Sequence, residues 1–164
     1  IRQQGPRIWR LEIGGGYILK LKDEIKLSGM LHVEVWKDQK CAEIHHHNMI
    51  MTAGRSMLAQ MVTGGLDSIM YIGIGSGTAE ETPEDTGLQD ECQVPLASRE
   101  VFDTTRAKFE FEIGKEAGNG INVREFGLFS ERGIMFSHYV RPSLAEDLKK
   151  AEDMVIKGYW IINF

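Results

Sequence analysis

The sequence predicts a mainly β fold, made of β-sandwich-like antiparallel sheets with one short α-helix. Several short segments alternate apolar and polar residues, which is the pattern of a half-buried strand. Glycine is abundant, with 18 residues against 4 prolines, and this suits many turns between short elements. Only one segment has helical spacing, so a parallel α/β sheet, which needs helices between its strands, is excluded.

The first fifty residues are predicted to form strands. Residues 8–13 alternate cleanly, and the three glycines that follow break the pattern. A second strand is predicted at 17–21 and a third at 31–36. Residues 37–40 are a polar turn, so 41–47 is expected to pair back on the third strand as a hairpin arm.

The single predicted helix covers residues 52–62. Its apolar residues stand at 57, 58, 61 and 62, which places them on one face of a helix. Thr52 is predicted to be the N-cap, because a threonine hydroxyl can accept a hydrogen bond from the first turn. Gly64 and Gly65 are predicted to end the helix.

The second half of the chain returns to strands. Residues 69–75 are apolar on both faces, so this strand is predicted to lie centrally between two layers. A long acidic loop is predicted from residue 76 to 98. The remaining strands are predicted at 108–113, at 123–129 and 134–140 as a hairpin, and at 154–164.

Charge and composition exclude several classes of partner. The net charge is −5, and residues 76–98 hold six carboxylates and no basic residue, which leaves the remainder at +1. Without a basic stripe, nucleic acid is not an expected partner. No run of 18 apolar residues is present, so no membrane span is expected. Cys41 and Cys92 form no CxxC motif, which argues against a thiolate zinc site.

The acidic segment has three interpretations. In the first interpretation it is a solvated loop, because dense like charge favours exposure. In the second it is a calcium site, although it lacks the spaced acidic pattern of calcium loops. Or it is an interaction arm that repels wrong neighbours and meets a basic partner.

No catalytic or cofactor-binding set emerges from the motifs. The glycine-rich run 73–78 lacks the third glycine of a dinucleotide fingerprint, and no Gly-Lys-Ser/Thr follows it. Ser137 and His138 are neighbours on a strand and therefore point to opposite faces. Arg124 and Glu125 are interpreted as structural charges. We therefore expect no catalytic residues and no cofactor.

A histidine pair is the candidate metal site. In an extended strand His45 and His47 share a face and lie about 6.5–7 Å apart along the chain. Two imidazoles on one face can bind a transition metal. One chain offers too few ligands, so copies around a symmetry axis would complete the site. The alternative is an exposed polar strand end.

An ordered set of motifs carries a resemblance to a known family. The set comprises HNMI at 47–50, TAGR at 52–55, YIGIGSGT at 71–78, DTGL at 85–88, VREFGLF at 123–129, IMFSH at 134–138, KAEDM at 150–154 and WIINF at 160–164. Over residues 44–164 the chain resembles a widespread family of tailed-bacteriophage virion structural proteins. The resemblance implies an assembly role without catalytic residues, among tail, fibre, collar or baseplate proteins.

Residues 1–43 are less typical of that family, and they are expected to form a β-rich attachment arm beside a structural domain at 44–164. Trp9, Leu11 and Ile13 share one strand face, and Val35 lies on the next predicted apolar face. These four residues are predicted to pack against another subunit. Residues 44–164 are then expected to fold without the arm.

The expected function is that of a non-enzymatic, tail-associated virion component. Its expected partners are other phage structural proteins and further copies of itself, in a trimer or hexamer around the tail axis. It would be assembled in the host cytoplasm. One alternative is a capsid decoration protein of the same virion. Another is a receptor-binding tail tip in which Trp9, Tyr17 and Trp36 form a platform for glycans.

Overall fold

The computed structural model describes residues 12–13, 17–18 and 26–164, and the chain over these residues is mainly β. Glu12–Ile13 (β1) and Tyr17–Ile18 (β2) form a two-stranded ladder. The other elements are β3 (Ser28–Lys37), β4 (Gln39–Ile50), α1 (Thr52–Val62), β5 (Ile69–Gly75), β6 (Cys92–Pro95), β7 (Ser98–Asp103), β8 (Arg106–Ile113), β9 (Glu125–Ser130), β10 (Met135–Val140) and β11 (Val155–Asn163). In this part of the chain, no helix has the length and apolarity that a membrane crossing requires.

Nine of these strands form one curled sheet in the order β6-β5-β9-β10-β4-β3-β11-β8-β7. Every ladder in it is antiparallel, as the sequence predicts. Two separate sheets packed as a sandwich are not confirmed, because strand pairing continues from one side of the molecule to the other. Antiparallel strands with short connections allow such continuous curling.

Two segments of the chain each pair with two different strands, and the sheet curls along them. Strand β4 pairs with β3 from Gln39 to Asn48, and its last two residues pair with β10. On the opposite side of the molecule, the segment 92–103 pairs first with β5 and then with β8. At its bend the amide of Leu96 donates to Met70 and that of Ala97 donates to Glu110. The two edge strands of the sheet, β6 and β7, therefore belong to one continuous segment of the chain.

The division that we predicted after residue 43 cuts through β4. Strand β3 lies between β4 and β11, and its side chains Leu31, Val33 and Val35 are buried in the core. Residues 28–43 therefore belong to the same sheet as residues 44–164 and cannot form a separate arm. Residues 1–11, 14–16 and 19–25 of the predicted arm lie outside the described residues.

The core forms where the predicted alternation turns apolar side chains inward. Nine buried side chains from three adjacent strands make its centre: Leu31, Val33, Val35, Phe109, Phe111, Ile113, Ile156, Trp160 and Ile162. Each large apolar side chain contributes about 1.5–3 kcal/mol by leaving water. Strand β5 is covered on both faces, as its composition predicts, because Ile72 and Ile74 join this cluster and Tyr71 packs on a second one around Phe129.

The helix has the predicted bounds, but the predicted N-cap is wrong. Met51 is the N-cap and makes no side-chain capping hydrogen bond. Thr52 is the first helical residue, and its hydroxyl donates to Glu84 Oε1 at 2.8 Å. The end is as predicted, since the amide of Gly64 donates to Met61 and that of Gly65 donates to Gln60. The helix packs closely on β10.

Two strands were not predicted. Cys92–Pro95 and Ser98–Asp103 fall at the end of the predicted acidic loop and just after it, and they become β6 and β7. Neither has a buried apolar face, because all their side chains are exposed or half-buried. The acidic loop itself runs from Ser76 to Glu91, and most of its side chains are exposed.

Candidate functional site

An apolar groove lies beside α1. Its volume is about 600 Å³, and it lies between the outer face of the helix and Phe164. Arg55 is its single charged lining residue. The groove is otherwise lined by Leu27, Leu58, Ala59, Met61, Val62 and Phe164. An apolar surface of this kind, open to solvent, is characteristic of a protein-binding site.

The groove continues inward as a smaller cavity of about 230 Å³. The two cavities share Leu58, Met61 and Phe164, and the inner one reaches the core side chains Phe109 and Phe136. Val62 and Phe164 are 88% and 47% exposed on the rim. Helix α1 therefore packs on β10 through Gly54 and Met57, while its last turn leaves apolar side chains uncovered.

The predicted interface residues separate into two groups. Val35 is 1% exposed and lies in the core, so its predicted contact with another subunit is wrong. The alternating apolar side chains of β3, which suggested an interface, are instead buried in the core of the same chain. Trp9 and Leu11 lie outside the described residues, and only the backbone of Ile13 is described, in β1. For these three residues the interface remains a prediction.

The predicted metal residues, His45 and His47, both lie exposed on β4. His45 is paired with His32 of β3, and His47 is paired with Met30. The two Nδ1 atoms of His32 and His45 are 3.0 Å apart. As the described side chains stand, no three histidine, cysteine or carboxylate groups surround a common point.

Sequence reasoning missed His32, although a signal for it was present. A hairpin turn at 37–40 places residue 32 opposite residue 45, and in the structure a register shift between Val35 and Trp36 keeps this pairing around a tighter turn. Asp38 makes this turn with a φ of 59°. The outward position of His32 follows from the same alternation that buries its neighbours Leu31 and Val33.

A second histidine is buried in an acidic setting beneath the loop. His138 of β10 lies between two carboxylates, with Nδ1 at 3.0 Å from Asp85 Oδ2 and Nε2 at 2.9 Å from Glu125 Oε2. Glu125 Oε1 also accepts hydrogen bonds from the amides of Gly77 and Gln89, at 2.8 and 2.7 Å. The acidic loop is therefore fixed to the sheet at several points, and it is not a freely solvated loop.

The charge state of His138 follows from these contacts. Burial is the strongest influence and opposes protonation, but the hydrogen bonds and charges of Glu125 and Asp85 together raise the pKa of His138 above its ordinary value. For Asp85, burial is again the strongest influence and opposes ionisation, yet hydrogen bonds from Thr82 and His138 lower its pKa. The two carboxylates therefore favour the charged form of the imidazole between them.

This arrangement suits a structural role for His138. Both ring nitrogens are occupied by carboxylates, so neither is directed at a substrate. The neighbouring Ser137 points the other way, as predicted, and its hydroxyl donates to the carbonyl of Met49 at 2.7 Å. The two residues therefore do not form a nucleophile and base pair.

The remaining buried charges also hold loops. Arg124 is structural, as predicted, since its guanidinium donates to the carbonyls of Ala145, Pro142 and Ser143 at 2.9, 3.2 and 3.2 Å. Lys150 donates to Ala151 O at 3.0 Å and Asn119 Oδ1 at 3.1 Å. Burial lowers the pKa of Lys150. Both residues therefore attach loops to the folded sheet through hydrogen bonds.

Comparison with known proteins adds no relative. Neither a protein-family model, nor a curated protein, nor a solved structure matches this sequence.

Proposed function

We propose that this chain is a non-enzymatic structural component of a tailed-bacteriophage virion, associated with the tail as a fibre-attachment, collar or baseplate protein. The resemblance of its ordered motifs supports this proposal. The motifs at 47–50, 71–78, 123–129 and 134–138 fall on β4, β5, β9 and β10, which are contiguous in the sheet. Motifs far apart in sequence thus meet in one half of the fold, as expected for residues that build a common framework.

The apolar groove is the observation that carries the assembly role. A monomer that stays alone in solution gains nothing from leaving Val62, Met61 and Phe164 exposed around one concave surface. Burying such a surface against another chain is favourable at about 25 cal/mol per Å² of apolar area. We therefore assign the groove to contact with another protein chain.

A second copy of this chain is the proposed occupant. Leu27 lines the groove and β3 begins at the next residue, so the sheet starts at the groove's edge. The sequence before Leu27 contains the alternating apolar residues Trp9, Leu11 and Ile13. Ile13 pairs with Tyr17, and the ten residues from there to Leu27 span at most about 35 Å, which is enough to reach a neighbouring molecule. The stripe of one copy then fills the groove of the next, in a homo-oligomer such as a trimer or hexamer.

Oligomeric mass tests the groove. Val62→Asp places a charge on the rim at a residue that is 88% exposed, so the chain still folds while the groove loses its apolar character. Leu144→Asp is the matched control, because Leu144 is 97% exposed and does not line the groove. By light scattering we expect an oligomer for the wild type and for Leu144→Asp, and a monomer for Val62→Asp. A monomeric wild type would overturn the assignment.

Particle labelling tests the location. Antibodies against residues 79–91, which are largely exposed, are applied to purified particles of the virus that encodes the chain and viewed by electron microscopy. Label on the tail supports the proposal. Label over the head replaces it with capsid decoration. Absence of the chain from the particles, by labelling and by mass spectrometry, refutes both.

A further inference from the structure

Two histidines from different strands meet on the outer face of the sheet. His32 of β3 and His45 of β4 are directly paired across the ladder. Their Nδ1 atoms are 3.0 Å apart, and the rings meet edge to face with centroids 5.1 Å apart. The ring of His32 also stacks on Tyr159 of β11 at 4.8 Å, which restrains its orientation. Two nitrogen donors are thus held side by side.

We propose that His32 and His45, joined by the carboxylate of Glu43, bind one late first-row divalent ion such as Ni²⁺ or Cu²⁺. Metal–imidazole bonds of about 2.0–2.1 Å to two nitrogens 3.0 Å apart subtend an angle of about 95°. Near-right angles belong to square-planar and octahedral coordination, whereas a tetrahedral zinc site needs wider ones. Imidazole donors suit these same ions.

The charges around the pair favour a cation. Glu43 Oε1 lies 3.7 Å from His32 Nδ1, and Glu34 Oε1 lies 3.5 Å from His32 Nε2. Lys40 is the opposing charge, with its Nζ 2.8 Å from Glu43 Oε2 and 3.8 Å from Glu34 Oε1. Two carboxylates thus face one ammonium group. A bound ion takes over the neutralisation of Glu43 that Lys40 now provides.

Glu43 has to rotate to become the third ligand. The two nitrogens already stand at coordinating separation, but the 3.7 Å between Glu43 Oε1 and His32 Nδ1 exceeds the roughly 2.9 Å that separates adjacent ligands at a right angle, so the carboxylate moves closer to bind. Its side chain is 48% exposed, so rotation disturbs no packing. A shallow pocket of about 320 Å³ borders His32, and water from it completes the coordination.

This site differs from a pair made by His45 and His47 along β4. The latter needs a second chain to complete it, whereas His32, His45 and Glu43 belong to one molecule. The partner of His45 therefore distinguishes the two possibilities. The same ion binding is expected whichever assembly the chain belongs to.

Calorimetric titration of the full chain with Ni²⁺, after treatment with a chelator, tests the site. We expect one ion per chain for the wild type. His45→Gln and His32→Gln should each weaken binding by about tenfold or more, and Glu43→Gln should weaken it by less. His47→Gln and His46→Gln should bind as the wild type does. His45 and His46 are exposed, so their variants keep the fold, and the urea midpoint without metal checks every variant.

Two results would overturn the site. If His47→Gln loses Ni²⁺ and His32→Gln retains it, the ion is held by the histidine run of β4 alone. If the wild type binds neither Ni²⁺ nor Cu²⁺, the contact between His32 and His45 is an imidazole hydrogen bond only.

In the bound state, Cu²⁺ should show two equivalent nitrogen couplings by electron paramagnetic resonance, and His32→Gln should reduce them to one.

Discussion

At the scale of single residues, His138 shows how one buried charge holds a loop of opposite charge. It joins Asp85, which is 53 positions away, to Glu125, which is 13 positions away. The carboxylate of Glu125 continues the connection by accepting the amides of Gly77 and Gln89. The loop needs this charge because six carboxylates in one segment repel each other. A neutral imidazole at position 138 carries a single N–H and could donate to only one of the two carboxylates.

The stability of the protein should therefore depend on pH through His138. Its pKa is raised above 6.5, so the charged imidazole stabilises the fold fully below pH 6.5, and this contribution is lost as the pH rises through the folded-state pKa. Asp85 has a lowered pKa, and its contribution is present above pH 3.8 and lost as the pH falls through its folded value. Urea unfolding at a series of pH values measures both effects.

The control for this pH dependence is His138→Gln. Below pH 6.5 it should cost about 3 kcal/mol, since it leaves a buried carboxylate unpaired, and it should flatten the profile above that pH. His46→Gln, at an exposed position, should keep the profile of the wild type. An unchanged slope in His138→Gln would show that other groups cause the dependence.

At the scale of elements, β11 is the strand that the rest of the sheet most depends on. It pairs with β3 on one side and with β8 on the other along nearly its whole length. Gly158 in its middle faces the chain of β3, and a Cβ built there would stand 2.0 Å from the carbonyl oxygen of His32. The absence of a side chain at Gly158 admits this close backbone approach between the two strands.

Replacing this glycine should be costly. Gly158→Ala forces β3 and β11 apart at the centre of the sheet, and we expect a loss of about 3 kcal/mol in the free energy of unfolding. Gly114→Ala is the matched control, because a Cβ there meets nothing within 4 Å, and it should be neutral or slightly stabilising. Urea unfolding compares the two. Equal stability would mean that the sheet accommodates the methyl group by a small shift.

The elements that the sequence predicted correctly are those in which apolar residues recur with the period of a strand or of a helix. Phe109, Phe111 and Ile113 alternate with charged residues, and the helix carries its apolar residues on one face. Strand β7 could not be predicted in this way, because four of its six residues are exposed and none is buried, so its place depends on backbone pairing with β8. The N-cap failed for a related reason, since the loop at Glu84 draws the Thr52 hydroxyl away from the helix.

At the scale of the whole molecule, long-range contacts decide which predicted residues can act together. The sequence places His45 on an outer face correctly, but its neighbour His32 comes from the adjoining strand. The sequence shows that Val35 belongs to an alternating apolar segment. It cannot show that β11 pairs with this strand along the edge that faces away from β4. The groove beside α1 was not predicted, because it forms only when Leu27, Val62 and Phe164 are brought together.

Truncation tests the extent of the folded unit. Removing residues 1–25 leaves β3 in place, so we expect cooperative unfolding and a native near-ultraviolet circular dichroism spectrum. Removing residues 1–43 deletes the strand between β4 and β11, exposes the core and should abolish cooperative unfolding. A cooperatively folded chain that starts at residue 44 would show that β4 and β11 can close the sheet without β3.

The pairing of Ser28 with Asn163 has a mechanical consequence. Strand β3 starts where β11 finishes, so the two attachment points of the sheet, at Leu27 and Phe164, lie side by side at the groove. A force that pulls these points apart loads the hydrogen bonds between β3 and β11 one pair at a time and peels the strands open. A force along the strands, applied at opposite ends of two paired neighbours, loads many hydrogen bonds at once and meets more resistance. A tether at this corner is therefore strong only when a neighbouring chain in the groove clamps it.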